Sequence, residues 1–205
     1  ERPPRGRAAL PPPDRSDHMM SITRERFEQG MTYEQYKAQM TRNRERLEEN
    51  EHTVELPADD VAFFSKLAEP LRVLIITEDW CGDAIANVPI LGRLAAETDK
   101  LDLRIFLRDQ NTDLMDQYLK EGKHRSIPVF AFFDAQFRPI GHWIERPAII
   151  SELQGKMIAD LYESDPTFAG VEPGTSIAVM PDAARARLMQ AFAAFRTETR
   201  ALADR

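Results

Sequence analysis

The sequence predicts an α/β domain in which a mixed central β-sheet is flanked by helices, with extra helices at both ends of the chain. Three patterns support this prediction. A β-α-β order runs through residues 71–107, two strands joined by a short turn span residues 128–143, and helix-type apolar spacing occurs before and after this region. A βαβ crossover makes its two strands parallel and a hairpin makes its strands antiparallel, so the sheet is predicted to be mixed.

Residues 21–50 have the spacing of a helical segment. Thr32 and Gln35 form a capping-box pattern at its centre. The apolar residues that follow recur at helical spacings and define one face: Tyr33, Tyr36, Met40 and Leu47. Arginines and glutamates occupy much of the rest. We interpret them as a solvated helix face, with a partner-docking surface as the alternative.

The first predicted strand, residues 71–77, is short, rich in β-branched residues and almost continuously apolar. This composition is typical of a strand that is buried on both faces. A short helix capped by Asp59 or Asp60 is predicted before it. A helix over residues 82–98 and an alternating strand over residues 101–107 are predicted after it.

In the second half of the chain, the sequence predicts a short helix, a hairpin and two further helices. Thr112 is expected to cap the short helix, which carries apolar residues as far as Leu119. The hairpin strands are residues 128–133 and 137–143. Helices are expected to begin at Pro147 and Pro181, the first-turn position that proline favours, with a loop over residues 164–180 between them.

These elements suggest four segments. Residues 1–20 are predicted to be a disordered leader or a vector-derived segment, and residues 21–56 a helical extension. Residues 57–163 form the central domain, and residues 164–205 a loop and a C-terminal helix that packs on it. No run approaches the roughly 20 apolar residues that span a bilayer, and the first 20 residues lack the apolar region of a secretory signal.

The formal net charge of −7 argues against nonspecific nucleic-acid binding and against an anionic membrane surface as the main partner. The chain contains one cysteine, which excludes an internal disulfide and favours a reducing, cytoplasmic compartment. The four histidines show no metal-ligand spacing, and no glycine-rich phosphate loop occurs. Neither a metal nor a cofactor is therefore predicted.

Cys81 lies between the buried strand and the first turn of the following helix. Free backbone N–H groups and the helix dipole favour a thiolate there, whereas Glu78, Asp79 and Asp83 oppose it if they face the sulfur. Asp83 has the alternative of facing water. We expect the thiol pKa to be lowered, but not to an extreme value. The alternative is that Cys81 is simply a small buried apolar residue.

Four sequence landmarks carry a family resemblance. Trp80-Cys81-Gly82 with Pro89, then Asp109-Gln110-Asn111, then Ser126-Ile127-Pro128, and finally Gly141 occur in this order over residues 71–150. Together they resemble the thioredoxin family, which implies the thioredoxin-like fold. The Trp80–Ala84 loop and the helical N-terminal extension are similar to a bacterial thioredoxin-like group.

The resemblance implies roles for individual residues. Cys81 would be the attacking thiol, Pro128 would be cis beside it, the Ile127 backbone would pair with an extended substrate, and Trp80 would wall the site. The remaining loop residues are Gly82, Asp83 and Ala84. The alternatives are a trans Pro128 that opens a strand and a Trp80 that only packs.

Two positions depart from the thioredoxin pattern. Ala84 stands where the resolving cysteine belongs, and Ile75 stands where thioredoxins carry a buried acid six residues before the nucleophile. The two losses are consistent with each other, because without a second thiol there is nothing for the acid to deprotonate. Ala84 is either natural or was introduced to trap a mixed disulfide.

We therefore predict a monothiol thiol–disulfide oxidoreductase that uses Cys81 and an external resolving thiol. Its partners would be a disulfide-containing or thiol-bearing protein, or a small thiol. Two alternatives are a redox-inactive module that binds a peptide or protein, and a redox sensor that acts through Cys81. The sequence contains no indication of the oligomeric state.

Overall fold

A computed structural model describes residues 22–203, and the predicted leader at residues 1–20 lies outside the described residues. The helices and strands within that range are, in order, α1 (Arg24–Glu28), α2 (Tyr33–Gln39), α3 (Arg44–Thr53), α4 (Ala58–Ser65), β1 (Leu71–Thr77), α5 (Gly82–Glu97), β2 (Leu101–Leu107), α6 (Thr112–Met115), β3 (Val129–Phe133), β4 (Pro139–Ile144), α7 (Ala148–Ser164) and α8 (Asp182–Ala203).

The four strands form one sheet in the order β2-β1-β3-β4. Strands β1 and β2 are parallel, whereas β3 is antiparallel to both β1 and β4. The sheet is therefore mixed and flanked by helices, with additional helices at both ends. The predicted fold class is confirmed.

Strand β1 forms the centre of the core. Its residues Val73, Leu74, Ile75 and Ile76 have no exposed surface. Strand β2 covers one edge of β1 and β3 covers the other, while helices pack on the faces. The apolar run of β1 is uninterrupted because its side chains point into packed layers on both faces of the sheet.

The N-terminal region differs from the single helical segment expected over residues 21–50, because it consists of three short helices. The Thr32 capping box starts α2 as predicted, but Gly30 and Asn43 stand at the breaks between helices. At the first break, Met31 pairs with Ile105 of β2 through two backbone hydrogen bonds of 2.8 and 2.9 Å. A helix cannot make such a bridge, so pairing with the sheet edge interrupts it.

Several predicted helix starts are shifted by a residue or more. Pro57 and Pro147 occupy the N-cap positions of α4 and α7, so neither Asp59 nor Asp60 is the cap of α4. Helix α6 ends at Met115, short of the predicted Leu119, and Thr112 lies inside it as its first residue. Shifts of one or two residues are common at helix ends. After α6, the backbone N–H groups of Gln117 and Tyr118 bond to the carbonyls of Leu114 and Met115, three residues back, instead of continuing the α-helix.

Helices α7 and α8 pack on each other around a second apolar cluster. Its buried members are Leu161, Phe168, Met180, Ala184, Leu188 and Ala191. This cluster is separate from the core of the sheet. Among the described residues, no helix combines the length and the apolar character needed to cross a membrane.

Candidate active site

The structure brings Cys81 together with the loop that precedes β3. Cys81 is the residue before α5, and only 8% of it is exposed. Its Sγ donates a hydrogen bond to the backbone carbonyl of Ile127 over 3.4 Å. The Ile127–Pro128 peptide bond is cis, and both residues are buried. Two segments that lie 46 residues apart therefore meet at the sulfur.

The electrostatics of Cys81 correct the expectation of a lowered thiol pKa. Burial raises the pKa of the Cys81 thiol above its ordinary value, and the Asp83 carboxylate adds to this effect. The backbone N–H groups of Ala84 and Asp83 and the Arg146 guanidinium act in the opposite direction without reversing it. The sequence revealed the helix end but not how completely the sulfur is removed from water.

Asp83 does not adopt the alternative in which it faces water. It is partly buried and forms an ion pair with Arg146 at 2.9 Å. Burial raises the pKa of the Asp83 carboxyl, and Glu145 contributes in the same direction, while Arg146 lowers it. The net direction is upward despite the ion pair, because desolvation and the Glu145 carboxylate outweigh the three nearby cations, Arg146, Arg196 and Lys120.

Arg146 is the residue near the site that sequence reasoning missed. Its side chain is 14% exposed, and it pairs with both Asp83 and Glu145. Glu145 in turn pairs with Lys120. This chain of alternating charges joins α5, the loop after β4 and the loop after α6. The only local signal was a Glu-Arg-Pro sequence directly after a predicted strand.

The other two acidic residues of the loop do not face the sulfur but hold the loop in place. The Glu78 carboxylate accepts the backbone N–H of Asp109 over 2.9 Å, which ties the end of β1 to the end of β2. Asp79 accepts the backbone N–H groups of Thr41 and Arg42 over 2.8 and 3.0 Å. The N-terminal extension thus contacts the candidate site directly.

Trp80 lies on the surface beside Cys81, with 42% of it exposed. The Arg108 guanidinium stacks over the indole, 4.8 Å from the ring centre. Trp80 is therefore not part of the buried core, although its ring packs against Arg108.

Pro89 lies inside α5 and lacks the N–H that would bond to the Ile85 carbonyl. The side chain of Asn50, from α3, donates to that carbonyl over 2.7 Å. The freed acceptor is buried, so it needs such a donor. Asn50 therefore compensates for the proline that the sequence had marked as a family landmark.

Ala84 and Ile75, the two departures from the thioredoxin pattern, are both fully buried. Gly82 begins α5 and is partly exposed. Among the described residues, no group of histidine, cysteine, aspartate and glutamate side chains is arranged to hold a metal ion. His124 is exposed, and its neighbour Arg125 pairs with Asp116 at 2.7 Å.

Comparison with known proteins agrees with this architecture. Residues 30–160 match the family model described as thioredoxin. A crystal structure of an HIV epitope-scaffold is similar with a TM-score of 0.55 and 19% identity, covering 62% of this chain and 78% of that one. A protein of unknown function from Pseudomonas aeruginosa has a TM-score of 0.54 and 16% identity, covering 85% of this chain and 95% of that one.

No curated protein matches the chain. At these identities the two structures support the fold alone. The family match extends over more than half of the chain and includes Cys81, the Ile127–Pro128 loop and all four strands. The chain therefore belongs to the thioredoxin family.

Proposed function

We propose that this protein is a bacterial-type thioredoxin variant that carries out monothiol thiol–disulfide exchange through Cys81. One observation carries the proposal. The Cys81 sulfur lies at the start of α5, within 3.4 Å of the Ile127 carbonyl and next to the exposed Trp80. A nucleophilic sulfur, a backbone edge for an extended chain and an aromatic wall are thus next to each other.

The exchange takes place in two steps. The Cys81 thiolate attacks one sulfur of a disulfide R–S–S–R′, which forms Cys81–S–S–R and releases R′–S⁻, and the released thiolate takes a proton from water. A deprotonated external thiol R″–S⁻ then attacks the R sulfur. This forms R–S–S–R″ and regenerates the Cys81 thiolate, so the reaction needs no additional oxidant or reductant.

The external thiol is needed because Ala84 provides no second sulfur. We propose a disulfide-bearing protein or small-molecule disulfide as substrate and a small thiol or second protein as the resolving partner, in a reducing, cytoplasmic compartment. The roles assigned to Ile127, Pro128 and the Trp80–Ala84 loop belong to this proposal. It involves no cofactor.

The test is the formation of a mixed disulfide between Cys81 and oxidised glutathione, followed by intact mass. We expect one glutathione adduct on the wild-type protein, none on Cys81→Ser, and removal of the adduct by added thiol. If the unfolded protein is modified and the folded protein is not, even at pH 9 to 10, the proposal is wrong. The pH is chosen because the thiol pKa is raised.

Restoring the second sulfur is a complementary test. Ala84→Cys recreates the two-cysteine loop and is expected to give catalytic reduction of insulin disulfides in the presence of dithiothreitol. Ala86→Cys on the same helix is the matched control, since it adds a thiol at the wrong spacing. Equal activity of the two variants would contradict the assigned role of position 84.

A second function is favoured by the burial of Cys81 and its raised pKa. In this alternative, the two loops that carry Ile127 and Trp80 bind an extended peptide without covalent chemistry. Cys81→Ser distinguishes the two functions, because it abolishes exchange but leaves noncovalent binding intact. Peptide binding that disappears with the sulfur would argue against the alternative.

A further inference from the structure

A cavity of about 480 Å³ lies beside the start of α5, between α3, the loop after β4 and α8. Three arginines from these three elements line it: Arg46, Arg146 and Arg196. Its volume is within the range of small-molecule sites and exceeds what a bare inorganic anion needs. The cavity is next to the loop of Cys81, but Cys81 is not among its lining residues.

The arginines in the cavity are not equally neutralised. Arg146 pairs with Asp83 and Glu145. Arg46 and Arg196 form no ion pair with any carboxylate in the described part of the chain. The chain has 34 acidic residues against 27 basic ones, so pairing partners are not scarce. Two arginines without an ion-pair partner therefore face one space, which the carboxylates of Glu49 and Asp83 also line.

This arrangement is unfavourable for the positive charge of Arg196. Burial lowers the pKa of the Arg196 guanidinium and the Arg46 charge lowers it further, whereas the Asp83 carboxylate acts in the opposite direction without reversing the shift. The Nε atoms of Arg146 and Arg196 are buried without a hydrogen-bond partner in the described residues. An anion that enters the cavity relieves the repulsion between the facing like charges of Arg46 and Arg196.

The rest of the lining indicates what accompanies the anionic group. Ile150, Phe192 and Phe195 provide apolar surface in the lining of the cavity. Arg46 is exposed, whereas Arg196 is half-buried. A ligand with an oxyanion at one end and an apolar body at the other would match both surfaces.

We propose that this cavity binds a small organic molecule that carries a carboxylate or phosphate group, held by Arg46 and Arg196, with Arg146 also in the lining. The proposal goes beyond thiol exchange and does not depend on Cys81. Carboxylate and phosphate share the geometry that a guanidinium recognises. The experiment separates them by using one probe of each kind.

The test is isothermal titration calorimetry at low ionic strength with benzoate, phenyl phosphate, inorganic phosphate and the neutral benzyl alcohol. We expect saturable binding of at least one aryl oxyanion, weaker binding of inorganic phosphate and none of benzyl alcohol. The tighter of the two aryl probes identifies the group recognised. No saturable binding of either aryl anion would overturn the proposal.

The variant Arg46→Met/Arg196→Met is expected to weaken binding about tenfold or more, since it removes two charge-assisted contacts. Arg44→Met/Arg185→Met is the matched control, because it removes one arginine from each of the same helices outside the cavity. Its binding should stay within about twofold of wild type. Equal losses of binding affinity in both variants would show that net charge alone causes the effect, and would overturn the proposed site.

Folding is checked with the same proteins. Removing two facing like charges is expected to leave the melting temperature of the unliganded cavity variant at or above that of wild type. The aryl anion should then raise the melting temperature of wild type and of the control, but not of the cavity variant. An equal rise in all three proteins would place the binding elsewhere and overturn the proposal.

Discussion

At the scale of single residues, the chemistry of Cys81 is set by opposing local forces. The helix end and its N–H groups favour the thiolate, whereas burial and the neighbouring Asp83 carboxylate disfavour it, and burial has the larger effect. The thiol therefore stays protonated at neutral pH. Any reaction at this sulfur draws on a small thiolate population, whose nucleophilicity is correspondingly high.

The first prediction concerns the alkylation rate of Cys81 as a function of pH. The rate follows the thiolate fraction, so its midpoint should lie above the ordinary thiol value of about 8.5. Asp83→Asn should lower the midpoint, because it removes an anion that raises the thiol pKa. Iodoacetamide labelling followed by mass spectrometry measures both. Asp99→Asn, at an exposed position outside the site, should leave the midpoint unchanged, and a wild-type midpoint below about 8.5 would contradict the prediction.

The hydrogen bond from Asn50 to the Ile85 carbonyl yields a second prediction at the residue scale. Asn50→Asp keeps the size of the side chain but removes the N–H group that bonds to the Ile85 carbonyl, which Pro89 leaves without a helical donor. We expect the free energy of unfolding to fall by about 2 kcal/mol or more, because a buried acceptor loses its donor and a carboxylate enters the core. Urea denaturation checks this. Glu49→Gln, on the exposed side of α3, should change stability by less than about 0.5 kcal/mol.

At the scale of elements, the N-terminal extension is part of the sheet and of the candidate site. Met31 pairs with β2, Asp79 holds the loop between α2 and α3, and Tyr33 packs against α5. The arginines and glutamates of this region were interpreted as a solvated face. Much of that interpretation holds, but Arg46 lines the cavity beside α5.

The contact between α2 and α5 yields a prediction at Gly92. A Cβ atom there would lie 2.4 Å from the ring of Tyr33, which is itself buried and bonded to Glu51. Gly92→Ala is expected to destabilise the protein by about 1 kcal/mol or more, because overpacking exceeds the gain in helix propensity. Thermal unfolding with a matched control measures the effect.

That control is Gly155→Ala in α7, where a Cβ would meet no atom within 4 Å. Without a steric cost, the propensity gain should raise stability by about 0.5 to 1 kcal/mol. The two substitutions are thus expected to have opposite signs. If Gly92→Ala also stabilised the protein, the close packing of Tyr33 on α5 would be contradicted.

At the scale of the whole molecule, the described chain contains two apolar clusters of different size. The larger surrounds the sheet, whereas the smaller lies between α7 and α8. Helix α8 also lines the cavity beside α5, so the smaller cluster fixes the position of Arg196. Regions held by fewer buried side chains open at lower free energy.

We accordingly predict that α7 and α8 exchange their amide hydrogens through openings that leave β1 protected. Leu188→Ala should lower the opening free energy of these helices by about 2 to 5 kcal/mol, since Leu188 is buried in the smaller cluster. Met189→Ala, at a neighbouring position that is 42% exposed, should have little effect. Hydrogen exchange with mass spectrometry resolves the segments. Equal loss of protection in β1 would show that the two clusters unfold together.

The sequence by itself determined the order of the strands along the chain, the mixed sheet, the start of α5 after Cys81 and the loop before β3. These features follow from apolar periodicity, from turn and proline positions and from the direction of the chain, all of which are local. The Thr32 capping box was predicted for the same reason. The expected continuous helix over residues 21–50 failed because pairing between Met31 and Ile105 lies outside local propensity.

The tertiary structure alone decided the direction of the thiol pKa, the pairing of Asp83 with Arg146, the donor that Asn50 supplies and the convergence of Arg46 and Arg196. Each depends on groups that lie 35 or more residues apart in sequence or on the water removed by packing. Desolvation and long-range pairing have no periodic signature in a sequence. They arise when the elements assemble, and for this protein they set both the reactivity expected of Cys81 and the charge of the cavity beside it.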